Sequence, residues 1–188
     1  MSRAILLDRD GVLNVQVLGK YVNKPEDLVP FDYVPRAISI FNSLGFECYI
    51  ISNQSGVALG HLSLGTLAEI NGKLMREVRD NGGGKIKRVY SCTHSKDPVT
   101  CKCRKPQPGL ILQCASENNL DLKKCFMVGD QASDIEAGHR AGCPTVAVLS
   151  GFLDLETVKE IIPQPRYIMP DLIYFAEYIQ RMAAGLEI

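Results

Sequence analysis

The sequence predicts an α/β fold: a Rossmann-like parallel sheet with helices on both faces. Short apolar runs alternate along the chain with stretches of helical periodicity, and polar residues follow most of the apolar runs. Strands that alternate with helices require crossover connections, which give parallel strands covered on both sides. Ligands of such sheets bind at the carboxyl ends of the strands, so the polar residues there are the first candidates for a site.

The predicted elements follow from these runs in chain order. The first strand, 4–7, stops at Asp8, and a helix over 35–44 ends at Gly45, a residue type common at helix ends. Ser63 is a suitable N-cap for a helix that reaches about residue 80, where apolar residues recur every three or four positions. Further strands are expected over 46–51, 86–91, 125–128 and 145–149, and further helices over 109–118, 133–141 and 171–182. We expect the residues after about 151 to complete the sheet edge and cover the core.

The composition is that of an ordinary globular protein. The 188 residues are 46% hydrophobic and 22% charged, which excludes a disordered, collagen-like or coiled-coil chain and predicts one domain over 1–188. The 21 basic residues balance the 21 acidic ones, which argues against a general nucleic-acid or membrane-surface protein. No apolar run reaches the ~18 residues of a membrane span, and no signal peptide is recognisable. We therefore expect a cytoplasmic protein.

Two acidic segments follow predicted strands. In Asp8-Arg9-Asp10, residues i and i+2 of an extended segment point the same way, so both carboxylates can face one reacting centre. One carboxylate could serve as a nucleophile and the other as a proton donor. After the strand at 125–128, Asp130 could bind a hard cation such as Mg²⁺. Asp134 is either a supporting group for that site or an acid favoured by the helix dipole.

Two further segments suit the binding of phosphate. The Ser-Asn-Gln-Ser segment at 52–55 follows a predicted strand and offers a hydroxyl and backbone N–H groups. Arg104 and Lys105 precede a Pro-Gln-Pro run, which holds the chain extended. This rigid segment would orient the Arg104 guanidinium, which can bind phosphate through two nitrogens, and the compact ammonium group of Lys105. Taken singly, each of the segments at 8–14, 52–56 and 104–109 is more typical of a polar turn or a solvated loop than of a site.

A cysteine-rich loop at about 92–103 predicts a metal site. Cys92, His94, Cys101 and Cys103 provide the three thiolates and one imidazole of a closed tetrahedral zinc site. Because no ligand position stays open, the Zn²⁺ would be structural and would orient the adjacent basic pair. The alternative is four unconnected side chains with free thiols. The other cysteines are expected to be small core side chains: Cys48, Cys114, Cys125 and Cys143.

The four segments, in this order and at these strand ends, resemble the haloacid dehalogenase superfamily of phosphohydrolases. The resemblance covers roughly residues 4–150. Many members carry a cap domain after the first motif or between the second and third. Here the intervals 10–52 and 56–105 leave room only for loops, one helix and one strand each, so we expect a capless enzyme with short loops around its pocket.

The combination DRDGVLN, SNQSG, CxH…CxCRKPxPG and VGDxxxD is similar to one branch of that superfamily. The branch holds the D-glycero-D-manno-heptose 1,7-bisphosphate 7-phosphatases and the related histidinol-phosphate phosphatases, which share the zinc loop. Asn14 and Ser55 favour the heptose group. Leu59 and Gln131 depart from the usual residues of the heptose group. The short zinc loop is closer in length to that of the histidinol-phosphate phosphatases. Histidinol phosphate therefore stays open as an alternative substrate.

The resemblance implies a role for each candidate residue. Asp8 would attack phosphorus, Asp10 would act as acid and then base, and Ser52 and Lys105 would complete the catalytic set. Mg²⁺ would be held by Asp8, the Asp10 carbonyl and Asp130, with Asp134 in support. The expected substrate-binding residues are Asn53, Gln54, Ser55, Arg104 and Gln131.

Two other classes of function remain open. A zinc-stabilised interaction module without activity would have the same fold, but the joint presence of Asp8, Asp10, Lys105 and Asp130 argues against it. A phosphatase acting on nucleic-acid ends is disfavoured by the neutral charge balance and by the lack of room for an accessory domain, although basic residues cluster at 85–88, 96 and 102–105. We expect a small phosphorylated metabolite as the substrate, no membrane or nucleic-acid partner, and a monomer.

Overall fold

A computed structural model describes residues 1–16, 22–97 and 101–186 of the chain. Strands and helices alternate along it, and we number them in chain order. The strands are β1 Ala4–Leu7, β2 Glu47–Asn53, β3 Ile86–Cys92, β4 Phe126–Gly129, β5 Thr145–Val148 and β6 Tyr167–Met169. The α-helices are α1 Val34–Ser43, α2 Leu64–Gly82, α3 Gly109–Asn118, α4 Ala132–Ala141, α5 Leu155–Lys159 and α6 Leu172–Ala183. Short 3-10 turns occupy Pro25–Asp27 and Leu122–Lys124.

All six strands form one parallel sheet in the order β3-β2-β1-β4-β5-β6. The chain builds outward from β1 to one edge and then returns to add β4 on the other side of β1. Loops that leave β1 and β4 therefore diverge and open a crevice, which is the usual ligand position in sheets of this order. Asp8 follows β1 and Asp130 follows β4, so both acids lie at this crevice.

The sheet is covered on both faces, as predicted. Successive strand residues point to opposite faces, and in β1 Ile5 and Leu7 pack into a core with residues of α1, α2 and α6. Ala4 and Leu6 pack into a second core with residues of α3 and α4. All four of these side chains are fully buried. The four cysteines outside the cysteine-rich loop are buried, in agreement with the expectation of core packing.

Helix ends follow the local signals in the sequence. Ser63 caps α2 by accepting the N–H of Thr66 at 3.0 Å, and Gly83, with φ of 66°, ends it in the left-handed conformation that glycine adopts without strain. Gly45 has φ of 80° just after α1. Asp171 caps α6 through the N–H groups of Ile173 and Tyr174.

Two differences from the predicted strand ends place candidate site residues inside strands. β2 extends through Ser52 and Asn53, and β3 extends through Cys92, so these residues are the last of their strands and do not follow them. Parallel pairing of β2 with β3 continues to the pair Asn53 and Cys92. Backbone pairing overrides the low strand preference of serine and asparagine here.

The chain after residue 151 holds two elements that the sequence did not indicate, α5 and β6. β6 has only three residues, and all three are apolar, so it shows no alternation of apolar and polar residues. It completes the sheet edge, as expected for this segment. Within the described residues of 11–51 and 57–104, only α1, β2, α2, β3, a 3-10 turn and loops occur, so the fold is capless there. No helix in the described part of the chain is long and apolar enough to cross a membrane.

Candidate active site

Lys105 lies at the centre of the site, where its ammonium group contacts two carboxylates. Nζ is 2.8 Å from Asp8 Oδ1 and 2.6 Å from Asp134 Oδ1, and it donates to the Ile51 carbonyl at 2.7 Å. Burial lowers the pKa of Lys105, but the charges of Asp134 and Asp8 outweigh it and raise the pKa above its ordinary value. The side chain therefore places a permanent positive charge next to Asp8.

Asp130 is held by the loop that follows β5. Its Oδ2 accepts the N–H of Phe152 at 2.9 Å, and its backbone carbonyl accepts the N–H of Leu153 at 3.0 Å. A Cβ at Gly11 or Gly151 would lie 2.3 Å or 2.0 Å from Asp130 Oδ2, so only glycine lets these two loops approach the carboxylate. Oδ1 of Asp130 is buried and has no hydrogen-bond donor among the described residues.

The buried carboxylates of Asp8, Asp130 and Asp134 face the single charge of Lys105. Their ligand atoms lie within 4.8 Å of one another. Burial raises the pKa of Asp8 to about 7, with Lys105 opposing the shift and Asp134 adding to it. Burial and the charges of Asp8 and Asp134 raise the pKa of Asp130 to about 8. This excess of negative charge, and the bare Oδ1 of Asp130, fit a hard divalent cation such as Mg²⁺, while Asp134 stays engaged with Lys105.

Asp10 belongs to a separate network and not to this cluster of three acids. Its Oδ1 accepts Nε and Nη2 of Arg9, both at 3.1 Å, and Nδ2 of Asn14 at 3.0 Å. Its Oδ2 accepts Nη2 of Arg9 and Nε2 of Gln54, both at 2.9 Å. Burial raises the pKa of Asp10, but the Arg9 guanidinium, with Asn14 and Gln54, brings it below its usual value. In the free protein the carboxylate is thus ionised, and the four nitrogens that donate to it hold it in one orientation.

Residues 52–54 provide a hydroxyl and two amides beside Asp10 and Lys105. Ser52 Oγ accepts Nε2 of Gln54 at 2.8 Å. The Asn53 amide bonds the backbone of Lys105, with its oxygen accepting the N–H and its nitrogen donating to the carbonyl, both at 3.1 Å. Gln54 uses both amide atoms within the protein, since its Oε1 accepts Nη2 of Arg9. Ser55, like Ser52 and Gln54, is buried.

The remaining two candidate substrate contacts flank Lys105 and Asp130. Arg104 has a buried nitrogen, Nη1, for which the described residues supply no acceptor. Gln131 stands at the start of α4, and its backbone N–H donates to Asp134 Oδ2 at 3.1 Å. Arg104 thus keeps a free donor for an anion, whereas the Gln131 backbone orients Asp134.

The four predicted zinc ligands meet at the end of β3. Cys92 Sγ lies 3.7 Å from Cys101 Sγ and 3.2 Å from Cys103 Sγ, and His94 Nδ1 lies 3.5 Å and 3.2 Å from Cys92 and Cys103. Ligands about 2.3 Å from a tetrahedral zinc ion stand at similar separations from each other. The cluster adjoins the site, because the Cys92 carbonyl accepts the N–H of Gln54 at 2.7 Å. The chemistry and spacing of these ligands fit Zn²⁺.

Two parts of the site are not apparent from the sequence. Arg9 is 1% exposed and joins Asp10 to Gln54, although a charged residue between two acids suggested only a solvated turn. The loop 150–153 was assigned no chemistry, yet it holds Asp130, and Ser150 Oγ donates to the Gly11 carbonyl at 2.7 Å. Gly151, shortly after the end of β5, was the one signal in the sequence for a close approach of this loop to another group.

The chain is similar to known phosphatases in both sequence and fold. The family model HAD-hydrolase-like matches residues 102–174. The D-glycero-D-manno-heptose-1,7-bisphosphate 7-phosphatase of Thermosynechococcus vestitus is 34% identical, with 94% of each chain covered. The D-glycero-beta-D-manno-heptose-1,7-bisphosphate 7-phosphatase of Pseudomonas aeruginosa is 33% identical, covering 92% of this chain and 95% of its own. The crystal structure of D,D-heptose 1,7-bisphosphate phosphatase from B. bronchiseptica, complexed with magnesium and phosphate, has a TM-score of 0.89 at 30% identity, with 97% and 99% covered.

Proposed function

The chain belongs to the family of the heptose-1,7-bisphosphate 7-phosphatases, within the haloacid dehalogenase-like hydrolases, and we propose from this premise how its own site works. The proposal is a Mg²⁺-dependent phosphomonoesterase that forms a phosphoenzyme on Asp8. Its substrate is D-glycero-D-manno-heptose 1,7-bisphosphate, from which it removes the 7-phosphate.

The meeting of Asp8, Lys105 and Asp130 at the crevice between β1 and β4 carries this proposal. A carboxylate nucleophile and an anionic phosphate repel each other by about 4 kcal/mol at 4 Å in a medium of effective dielectric 20. Lys105, 2.8 Å from Asp8, offsets part of that repulsion. Mg²⁺ held by Asp8, Asp130 and the Asp10 carbonyl would neutralise the remaining negative charge and polarise the phosphoryl oxygens.

The chemistry of the chain's own residues then takes two steps. Asp8 attacks phosphorus in line with the ester oxygen, and Asp10, which is protonated once the anionic substrate is bound, gives that proton to the alkoxide as it leaves. Asp10 next removes a proton from the water that attacks the phosphoenzyme, which frees Asp8. Ser52 and Lys105 bind the equatorial phosphoryl oxygens through both steps, and Asp134 keeps Lys105 in place at 2.6 Å.

Arg104 supports a substrate with a second anionic group. Its buried Nη1 lacks an acceptor among the described residues, and an unsatisfied guanidinium nitrogen is unfavourable unless a ligand fills it. The 1-phosphate of the bisphosphate would supply that acceptor. Ser55 and the side chain of Gln131 are proposed to contact the sugar. Asn53 and Gln54 are proposed to act on the substrate through Lys105 and Asp10, because their amides are already bonded within the protein.

Zn²⁺ on Cys92, His94, Cys101 and Cys103 is proposed as a structural ion that orders the loop leading to Arg104 and Lys105. We place the enzyme in the cytoplasm, because such a site needs thiols that are kept reduced. The whole chain, 1–188, would act as one catalytic domain and as a monomer, since the described residues of one chain supply every proposed catalytic group.

Phosphate release from heptose 1,7-bisphosphate and from histidinol phosphate, measured side by side with Mg²⁺, tests this function. We expect a strong preference for the bisphosphate and no turnover by an Asp8→Asn variant. A preference for histidinol phosphate would show that the proposed substrate is wrong, while the proposed phosphoenzyme mechanism would stand. Hydrolysis of neither ester would support the reading as an inactive zinc-stabilised module.

A further inference from the structure

Arg9 is the largest side chain that is completely buried in the described part of the chain. A buried guanidinium is unfavourable unless its charge is paired and all of its nitrogens have acceptors. An apolar side chain could fill the same space without that cost. The position therefore calls for an explanation beyond packing, especially since it separates the two proposed catalytic carboxylates.

Every nitrogen of the Arg9 guanidinium is already used inside the protein. Nε and Nη2 donate to the Asp10 carboxylate at 2.9–3.1 Å, and Nη2 also donates to Gln54 Oε1 at 3.1 Å. Nη1 donates to Asn71 Oδ1 at 3.2 Å. With an exposed fraction of 1%, Arg9 cannot contact a substrate and can act only through these partners.

The partners of Arg9 determine which oxygen of Asp10 is available to move a proton. Oδ1 accepts three hydrogen bonds, two from Arg9 and one from Asn14. Oδ2 accepts one from Arg9 and one from Gln54, whose Nε2 also donates to Ser52 Oγ at 2.8 Å. Oδ2 is thus the less saturated oxygen, and it shares the Gln54 amide with the hydroxyl proposed to bind phosphate.

We propose that Arg9 is a positioning residue for the reaction, which holds Asp10 so that Oδ2 transfers the proton to the leaving group. Its anchor on the far side is Asn71 of α2, 62 residues away in the chain. This inference deepens the proposed function and rests on it. The rigid fork of arginine is essential to it, because an ammonium group cannot hold both carboxylate oxygens in one plane.

Only one of the two steps depends on the leaving group. When the phosphoenzyme forms, the bond from Asp8 to phosphorus forms, the ester bond breaks, and an aliphatic alkoxide must receive the proton of Asp10. A nitrophenolate leaves without that proton. When water hydrolyses the phosphoenzyme, both esters give the same intermediate and Asp10 takes a proton from water. Misplaced Asp10 therefore slows phosphoenzyme formation selectively for the aliphatic ester.

Rapid-quench measurement of phosphoenzyme formation tests this in the full chain loaded with zinc and saturated with Mg²⁺. The two probes are an aliphatic sugar phosphate and p-nitrophenyl phosphate. The variants are Arg9→Lys and Asn71→Ala, and the matched control is Arg79→Ala, which removes an exposed arginine paired with Asp80. We expect Arg9→Lys to slow phosphoenzyme formation from the aliphatic ester by about 100-fold, and from the aryl ester by no more than about threefold. Asn71→Ala should give the same selectivity with a smaller loss, and the control should match wild type.

Equal losses on both esters, or no loss, would overturn the inference while leaving the proposed function intact. Wild-type protein that forms a phosphoenzyme with neither ester would overturn the proposed function and this inference with it. Thermal unfolding of each variant identifies any that fails to fold. If Arg9→Lys does not fold, Asn71→Ala decides the matter, and the absence of selectivity in that variant would refute the positioning role.

Discussion

The amide of Asn53 bonds both backbone polar groups of Lys105, the N–H and the carbonyl, each at 3.1 Å. The two residues are 52 positions apart in the chain. This pair joins the end of β2 to the segment that leaves the cysteine cluster. It fixes the position of the Lys105 backbone, and the buried contacts with Asp8 and Asp134 fix the position of its ammonium group.

Replacing Asn53 by alanine should impair both stability and catalysis. Two side-chain bonds to backbone are lost, which we expect to lower the free energy of unfolding by about 2 kcal/mol. Displacement of Lys105 should lower kcat/KM by about 10- to 100-fold. Asn42→Ala is the matched control, because Asn42 also spans two backbone groups, the Phe46 carbonyl and the Lys85 N–H, away from the site. It should cost similar stability with wild-type kinetics, and a comparable kinetic loss in both variants would contradict the role of Asn53.

Gly151→Ala should weaken Mg²⁺ binding. The added Cβ would lie 2.0 Å from Asp130 Oδ2, so the carboxylate or the loop must move. We expect the apparent Mg²⁺ affinity, measured by calorimetry, to fall by about 10- to 100-fold. Gly65→Ala is the control, since its Cβ would meet Ser63 Oγ at an ordinary 3.5 Å. Unchanged Mg²⁺ affinity in Gly151→Ala would show that Asp130 is not the ligand.

The raised pKa values of Asp8 and Asp130, about 7 and about 8, predict how pH affects the protein without Mg²⁺. Between their ordinary and raised pKa values, the folded protein holds protons that the unfolded chain has lost. The free energy of unfolding therefore falls as pH rises through this range. Mg²⁺ displaces those protons, so its stabilising effect should be larger at about pH 8 than at about pH 6.

Thermal unfolding with and without Mg²⁺ at both pH values checks this expectation. Asp130→Asn is the control variant, because it removes one of the two titrating carboxylates and should reduce the pH dependence. A stabilisation by Mg²⁺ that is the same at both pH values would mean that the ion does not compete with these protons.

Cys101→Ser should lower the zinc content and loosen the segment that bears Arg104 and Lys105. We expect substoichiometric zinc by elemental analysis, a lower unfolding temperature and reduced kcat/KM. Cys143→Ala serves as the control, because Cys143 is a buried core thiol outside the cluster and should leave the zinc content unchanged. Full zinc occupancy with wild-type kinetics in Cys101→Ser would reject this role.

The fold was largely predictable because its elements are local. Apolar periodicity and end signals such as Ser63 and Gly83 lie within the helices that they define. β6 was not predictable, because it is short and is held by pairing with β5 at the sheet edge. The ends of β2 and β3 were misjudged because pairing between the two strands, and not residue preference, extends them to Asn53 and Cys92.

The site was predictable only in part. The four zinc ligands were predicted from their clustering in the sequence, and Asp8, Asp130 and Asp134 from their positions near strand ends and a helix start. The structure brings each of these two sets together. The burial of Arg9 depends on Asn71 and Gln54, which are far away in the chain, so no local pattern reveals it. The same reason hides the loop 150–153, whose contact with Asp130 exists only in three dimensions.

Trapping of the phosphoenzyme tests whether Asp8 is the nucleophile. Wild-type protein would be mixed with substrate and Mg²⁺, quenched in acid within the first turnover, and examined by peptide mass spectrometry. We expect one phosphoryl group per chain, on the peptide that contains Asp8, and none in Asp8→Asn. Full turnover by the wild type with no covalent phosphate, or turnover retained in Asp8→Asn, would contradict the assignment of Asp8 as the nucleophile.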